Sequence, residues 1–242
     1  MMANTALHLD SLSGVVILAG GASKRMGTPK AELILPTGER LLDYHVRHAL
    51  ELEAAAENAT GFNIPIMIAD NERGFTVDLD LNVSNPQSPI IHIADYAPIE
   101  GNEQSDNGGA LVAIESALQT LAKLTDAIPN QKSGSSWLLV ISCDSLIPAT
   151  DLWQKLQPVI SQVADKKVVC LTDDSHLYPL LGLYQLSIEA DLKAYIDSGQ
   201  RRVMSFIKPL TQTVPLIENW QHLTNFNTPE DFQRACAALS DL

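Results

Sequence analysis

Short β-branched runs alternate along the chain with longer segments whose apolar residues recur at helical spacing. Residues 14–18 (GVVIL) read as a buried strand that stops at Ala19-Gly20-Gly21. From 41 to 52, Leu42, His45, Val46, Ala49 and Leu50 fall on one helical face. Further strands are predicted at 64–68, within 86–93, at 137–142 (WLLVIS), at 167–172 and at 180–184. Pro65 restricts the first of these to a strand start or a sheet edge. Helices are predicted at 110–124 after Gly108-Gly109, at 149–163, and at 187–197, the last closed by Gly199. A final helix opens at Thr228 as N-cap, with Pro229 in the first helical position and Asp231 three residues past the cap. This alternation predicts a doubly wound α/β architecture that holds its ligand at the carboxyl ends of the strands. We read residues 1–242 as a single domain, with 1–13 as an N-terminal extension and the polar stretches 98–107 and 125–136 as surface insertions.

Composition fits that picture. The 242 residues, 45% hydrophobic and 19% charged, suffice for a large core and exclude wholesale disorder. No apolar run nears the ~20 residues of a membrane-spanning helix, and the opening residues lack the pattern of a signal peptide. Cys143, Cys170 and Cys236 are too scattered for a disulfide framework or a paired-cysteine metal site, which matches a reducing, cytoplasmic setting. The net charge of −13 argues against a nucleic-acid binder, which would carry a basic face. The acid is uneven: residues 51–131 hold 13 Asp/Glu and only two bases, Arg73 and Lys123, whereas residues 1–50 carry a net +1. An anionic ligand therefore belongs near the N-terminal end.

That end carries Gly20-Gly21 and then Lys24, Arg25 and Lys30, three positive charges within seven residues. Adjacent glycines after a buried strand let backbone approach a ligand closely, and exposed N–H groups cradle phosphate oxygens. Neither GxxxxGK[ST] nor GxGxxG is present, so a tight turn flanked by solvated bases is the alternative reading of the glycines alone.

The full segment 18–30, LAGGASKRMGTPK, resembles the signature loop LAGGxSxRMGxxK of the nucleotidyltransferases related to molybdenum cofactor guanylyltransferase. Residues 142–152, from Ser142-Cys143-Asp144 to Asp151-Leu152, resemble the family's PCDxPxxxxxDL. Residues 199–204 (GQRRVM) and 225–232 (NFNTPEDF) resemble its GERRVM and NxNTPEDL. Asp70-Asn71 and Ala94-Asp95 fall where the family contacts its nucleotide, and Gly108-Gly109-Ala110-Leu111 replaces a family Gly-Pro-Leu with one residue changed.

The resemblance implies a Rossmann-like three-layer sandwich with a mostly parallel central sheet, of the nucleotide-diphospho-sugar-transferase type. It implies Mg²⁺-dependent transfer of GMP from GTP to the terminal phosphate of molybdopterin, with release of pyrophosphate. Carried over residue by residue, Leu18, Ala19, Gly20, Gly21, Arg25, Lys30, Asn71 and Asp95 would bind the nucleotide, and Lys30, Arg25 and Asp144 would be catalytic. Asp144 and Asn227 would hold the metal, and Arg201 and Arg202 would face the pterin phosphate. Read without the family, Asp144 and Asn227 are also ordinary turn or cap residues, and Arg201-Arg202 suit a helix C-terminus. A carboxylate such as Asp95 would select guanine by pairing with its N1–H and N2–H edge. A cytidylyltransferase on the same pterin, or another small-molecule nucleotidyltransferase of this fold, is the near rival, although such relatives often carry LAAG rather than LAGG; an inactive nucleotide-binding protein is a further alternative. Expected partners are GTP, molybdopterin and, by family, a molybdenum insertion protein, with no nucleic acid and no membrane.

Overall fold

A computed structural model of the chain describes residues 11–21, 23–60, 63–84, 90–97, 109–126, 136–163 and 165–239. The expected insertion 98–107, nearly all of 125–136, most of the N-terminal extension, and the beginning of the strand expected within 86–93 lie outside these residues.

Seven strands form one sheet in the order β3-β2-β1-β4-β6-β5-β7. The strands are β1 (Leu12–Leu18), β2 (Ile66–Ala69), β3 (Ile90–Ile93), β4 (Trp137–Ser142), β5 (Val168–Thr172), β6 (Leu177–Gln185) and β7 (Thr211–Pro215). The helices are α1 (Leu41–Thr60), α2 (Leu79–Ser84), α3 (Ala110–Asp126), α4 (Ala149–Ile160), α5 (Glu189–Asp197), α6 (Val203–Ile207) and α7 (Pro229–Leu239). β3, β2, β1 and β4 run parallel to one another, β5 pairs parallel with β7, and β6 is antiparallel to both neighbours. The sheet is thus mostly parallel, as expected, with one reversed strand that apolar periodicity cannot distinguish from a parallel one.

Period-two alternation sorts the strand residues into two cores. Val15 and Ile17 of β1 with Trp137, Leu139 and Ile141 of β4 face the layer of α1, α4 and α7. Val16, Leu138 and Val140 face the layer of α3, α5 and α6. Central strands covered on both sides must be apolar at every position, which explains the unbroken runs VVIL and WLLVI.

Several boundaries moved for local reasons. Pro65 precedes β2, and its carbonyl accepts the Val15 N–H at 3.0 Å. α1 runs on to Thr60 through helix-forming Ala54-Ala55-Ala56. α4 stops at Ile160, because Pro158 removes a donor from its last turn. Gly199 closes the α5 end in a left-handed conformation, φ 84°. At α7, Thr228 Oγ1 accepts the Asp231 N–H at 3.2 Å, while Asp231 Oδ2 accepts the N–H groups of Thr228 and Asn227, each at 3.1 Å. This is the reciprocal capping box that the sequence announces. β7 escapes the sequence pattern because it is an edge strand in which only Val214 is buried.

Two aromatic positions of α1 support the loop after β4. Tyr44 donates its hydroxyl to Leu146 O at 2.8 Å, and His45 is fully buried against the backbone at Ser145. Burial lowers the His45 pKa from 6.5 to about 3. The unfolded chain therefore takes up a proton that the native chain refuses, so stability is lost as pH falls from about 6.5 toward 3, at no more than ~1.4 kcal/mol per pH unit. In urea melts at about pH 7 and about pH 4.5, His45→Gln should show a smaller acid-induced loss than the parent. Equal losses would mean that His45 does not titrate in this window.

Candidate active site

β1 sits where the strand order turns, with β2 on one side and β4 on the other, and this is where parallel α/β sheets open a crevice at their carboxyl ends. A cavity of about 650 Å³ occupies that position. The loop after β1, Asn71 after β2, Asp95 after β3 and Cys143-Asp144 after β4 all line it. Leu180 of the reversed β6 and the start of α3 at Gly109-Ala110 complete the wall.

The two glycines do different work. Gly20 is not a phosphate cradle: its N–H donates to Ala69 O at 3.1 Å, and a Cβ there would meet Asn71 Cβ at 2.8 Å. Gly20 is small so that the loops after β1 and β2 can touch. Gly21 faces open space, and its N–H, with those of Ser23, Lys24 and Arg25, makes no hydrogen bond among the described residues. The run of unbonded N–H groups thus begins one residue later than the glycine pair suggested. Ser23, left-handed at φ 48°, organises the rest. Its carbonyl accepts from Met26 and Gly27, and its hydroxyl accepts the Lys30 N–H at 3.1 Å. Met26 is buried and ties the loop to the core.

Lys30 projects into the cavity and is mostly enclosed, with 14% of its side chain exposed. Its Nζ donates to Asn227 Oδ1 at 3.0 Å, lies 3.8 Å from Asp144 Oδ2, and sits 5.6 Å from the centroid of the Phe226 ring. Burial lowers the Lys30 pKa below its usual value, opposed by the nearby Asp144 carboxylate. The Asn227 amide is fixed from its other side by donating Nδ2 to Asn225 O at 3.0 Å, and Phe226 N donates to Asp144 O at 3.3 Å. Residues nearly two hundred positions apart are thereby held around one ammonium.

Asp144 Oδ2 and Asn227 Oδ1 are thus two hard oxygens beside the Lys30 ammonium. Among the described residues no group of three or more His, Cys, Asp or Glu could hold a metal by itself. A two-oxygen site fits a cation that keeps water and substrate phosphates in its remaining positions, as Mg²⁺ does, and does not fit a closed structural site. Cys143 is buried beside it with its thiol pushed up to about 12, so it remains a neutral thiol.

The loops after β2 and β3 contribute Asn71, Arg73 and Asp95 to the cavity. Asp95 is half-buried with no hydrogen bond to its carboxylate among the described residues, and burial, then Glu72 and Asp70, raise its pKa. Asn71 adopts the left-handed region at φ 54°. Asp70 turns away to accept the Phe75 N–H at 3.0 Å. Leu18, Ala19, Gly20, Gly21, Arg25, Lys30, Asn71, Asp95, Asp144 and Asn227 thus share one cavity, whereas Arg201 and Arg202 do not line it. Arg201 Nη1 donates to Ile196 O at 2.6 Å and Gln200 O at 2.7 Å, binding the end of α5. The exposed Arg202 guanidinium makes no hydrogen bond or ion pair among the described residues. Arg73 and Ser23 line the cavity without having been singled out; Arg73 was visible only as a rare base in the acidic middle segment.

A cation-rich loop facing a hard-oxygen pair, at the switch point of a mostly parallel sheet, is the arrangement of a nucleotidyltransferase. The model of the MobA-like NTP transferase domain matches residues 15–214, and the chain belongs to that family. It is 26% identical to a molybdenum cofactor guanylyltransferase of Rhizobium meliloti, over 93% of this chain and 90% of the relative. A molybdenum cofactor guanylyltransferase of Vibrio atlanticus is 21% identical, over 92% and 95% of the two chains. Among solved structures, molybdopterin-guanine dinucleotide biosynthesis protein A from Archaeoglobus fulgidus superposes with a TM-score of 0.59 at 18% identity, covering 95% of this chain and all of that one. Membership of a nucleotidyltransferase family points to a divalent metal. No helix among the described residues is long and apolar enough to cross a membrane.

The contact between the β1 and β2 loops is testable. In Gly20→Ala the new Cβ collides with backbone, at 3.1 Å from Asn71 N and from Asp70 C, which cannot yield as a side-chain tip does. The variant should weaken nucleoside triphosphate binding by about tenfold or more, with a stability loss of about 1–3 kcal/mol. Unchanged affinity by calorimetry would show that the loop contact does not shape the site.

Proposed function

We propose that this enzyme transfers GMP from GTP to the terminal phosphate of molybdopterin, forming the guanine dinucleotide cofactor and releasing pyrophosphate. The observation that carries the reading is the convergence of Lys30, Asp144 and Asn227 on one point of a cavity whose far wall offers Asn71 and Asp95. Support for the particular substrates comes from the relatives' names and from LAGG at residues 18–21.

An acceptor phosphate is already ionised near neutral pH, so the reaction needs no general base. An acceptor oxygen attacks the α-phosphorus, its P–O bond forms, and the bond from the α-phosphorus to the β-phosphate oxygen breaks. The protein's task is to align these groups and to stabilise charge on the departing pyrophosphate. In this reading Lys30, Arg25 and the N–H groups of Gly21, Ser23, Lys24 and Arg25, unbonded among the described residues, would carry out that task. Asp144 and Asn227 would hold Mg²⁺, which when bound supplies positive charge at the phosphate oxygens. Asp95 would accept from the guanine N1–H and N2–H edge. Arg202, whose exposed guanidinium makes no hydrogen bond among the described residues, would meet the pterin phosphate, with Arg201 fixing the turn that carries it. The whole chain would act as one domain.

Titration calorimetry with Mg²⁺ present should show GTP binding in preference to CTP and ATP, and Asp144→Ala should remove the Mg²⁺ dependence of that binding. Preference for CTP would keep the fold and change the product, and binding of none would indicate an inactive relative. Lys30→Ala should lower turnover by about a thousandfold or more while leaving thermal unfolding near that of the parent. Near-normal turnover would remove Lys30 from the mechanism.

A further inference from the structure

The segment that carries Asp95 is pinned from the side away from the cavity. Ala94 O accepts from Ser116 Oγ at 2.6 Å, and Tyr96 N donates to Val112 O at 3.3 Å, both partners on α3. Tyr96 then reaches a different helix. Its hydroxyl donates to Asp197 Oδ1 at 2.9 Å, in the last turn of α5 and 101 residues further along the chain. Lys193, one turn earlier, closes the cluster, with its Nζ 2.6 Å from Asp197 Oδ2 and 5.6 Å from the centroid of the Tyr96 ring. Neither Tyr96 nor Asp197 lines the cavity.

This arrangement matters because of what Asp95 lacks. Its carboxylate has no hydrogen bond among the described residues, and among them its backbone neighbours direct it. Two parallel hydrogen bonds to a base edge demand a carboxylate placed within ~0.5 Å and 10–20°. A hydrogen bond from a phenol to an ionised carboxylate is directional and stronger than a neutral pair. Lys193 and the Tyr96 hydroxyl hold the Asp197 carboxyl below its usual range, which keeps that acceptor ionised. The same helix end binds Arg201 through Ile196 O, so one element fixes both the base edge of the cavity and the Arg201-Arg202 turn.

We propose that Tyr96 is a specificity-positioning residue: its hydrogen bond to Asp197 orients the Asp95 carboxylate toward the base of the bound nucleotide. The inference rests on the reading of Asp95 as the base-binding group. The experiment compares GTP and ATP affinities, with Mg²⁺, for the parent and for Tyr96→Phe, Asp197→Ala, Asp197→Asn and Asp95→Asn, together with thermal unfolding. Tyr96→Phe keeps the ring and loses only the hydroxyl. It should reduce the GTP-over-ATP preference by about tenfold with ATP affinity unchanged. Asp197→Ala should match it, and Asp197→Asn, which retains an acceptor oxygen, should restore most of the preference. A merely structural bond would weaken both nucleotides alike or lower only the unfolding temperature, and either result would overturn the proposal. If Asp95→Asn abolishes the preference while Tyr96→Phe leaves it intact, the inference fails and the assignment of Asp95 survives. If Asp95→Asn leaves the preference intact, that assignment fails and the inference falls with it.

Discussion

The parallel pairing of β1 with β4 is the constraint on which the site depends. Its register sets Leu18 opposite Ser142, and the Cys143 N–H continues the ladder onto Leu18 O at 3.2 Å. Two strands more than a hundred residues apart therefore end at the same height, and the loop leaving one faces the aspartate leaving the other. A slip of one residue would turn Val16 and Val140 into the wrong core and move Asp144 away from Lys30. The apolar packing on both faces of the sheet thus fixes the position of charged groups that themselves contribute little to stability.

Around that pairing the site is assembled by backbone contacts as much as by side chains. Phe226 N on Asp144 O brings the segment 225–227 beside β4, and the capping box of α7 fixes Asn227 through its own N–H. Lys30 then closes the triangle. Its ammonium is costly to bury, and the Asp144 carboxylate, the Asn227 amide and the Phe226 face each offset part of that cost. Such a charge, enclosed but still directed into the cavity, is organised before any substrate arrives, which is the condition for electrostatic catalysis.

Much of this was legible in the sequence, because the signals are local and strong. Unbroken apolar runs mark β1 and β4, Thr228-Pro229 marks α7, Gly199 ends α5, and the bases after Gly21 mark the anion end. What the sequence hid depends on contacts between distant residues. The reversal of β6 leaves no trace in its period, and β7 is polar because one of its flanks is the edge of the sheet. The small size of Gly20 serves a neighbouring loop, so its residue type pointed to the right place for the wrong reason. Arg201 shows the converse, since the helix-end reading available from its position alone describes its contacts. Tyr96 carried no motif at all, and only the packing of α3 against α5 gives its hydroxyl a partner.

The charge distribution gives a chain of net charge −13 one place suited to an anionic ligand. Among the described residues, Lys24, Arg25, Lys30 and Arg73 line the cavity against Asp95 and Asp144, so the local balance there is positive inside an acidic molecule. Asp144 is already compensated by Lys30, whereas Asp95, carried by the segment after β3, has no hydrogen bond to its carboxylate among the described residues. A ligand that is anionic at one end and rich in N–H donors at the other matches this polarity in a single orientation. Reversed, it would set phosphates against a desolvated carboxylate and leave Lys24 and Arg25 without a counter-charge. The cavity therefore selects direction through the placement of its few charges, before any fine contact with the base is made.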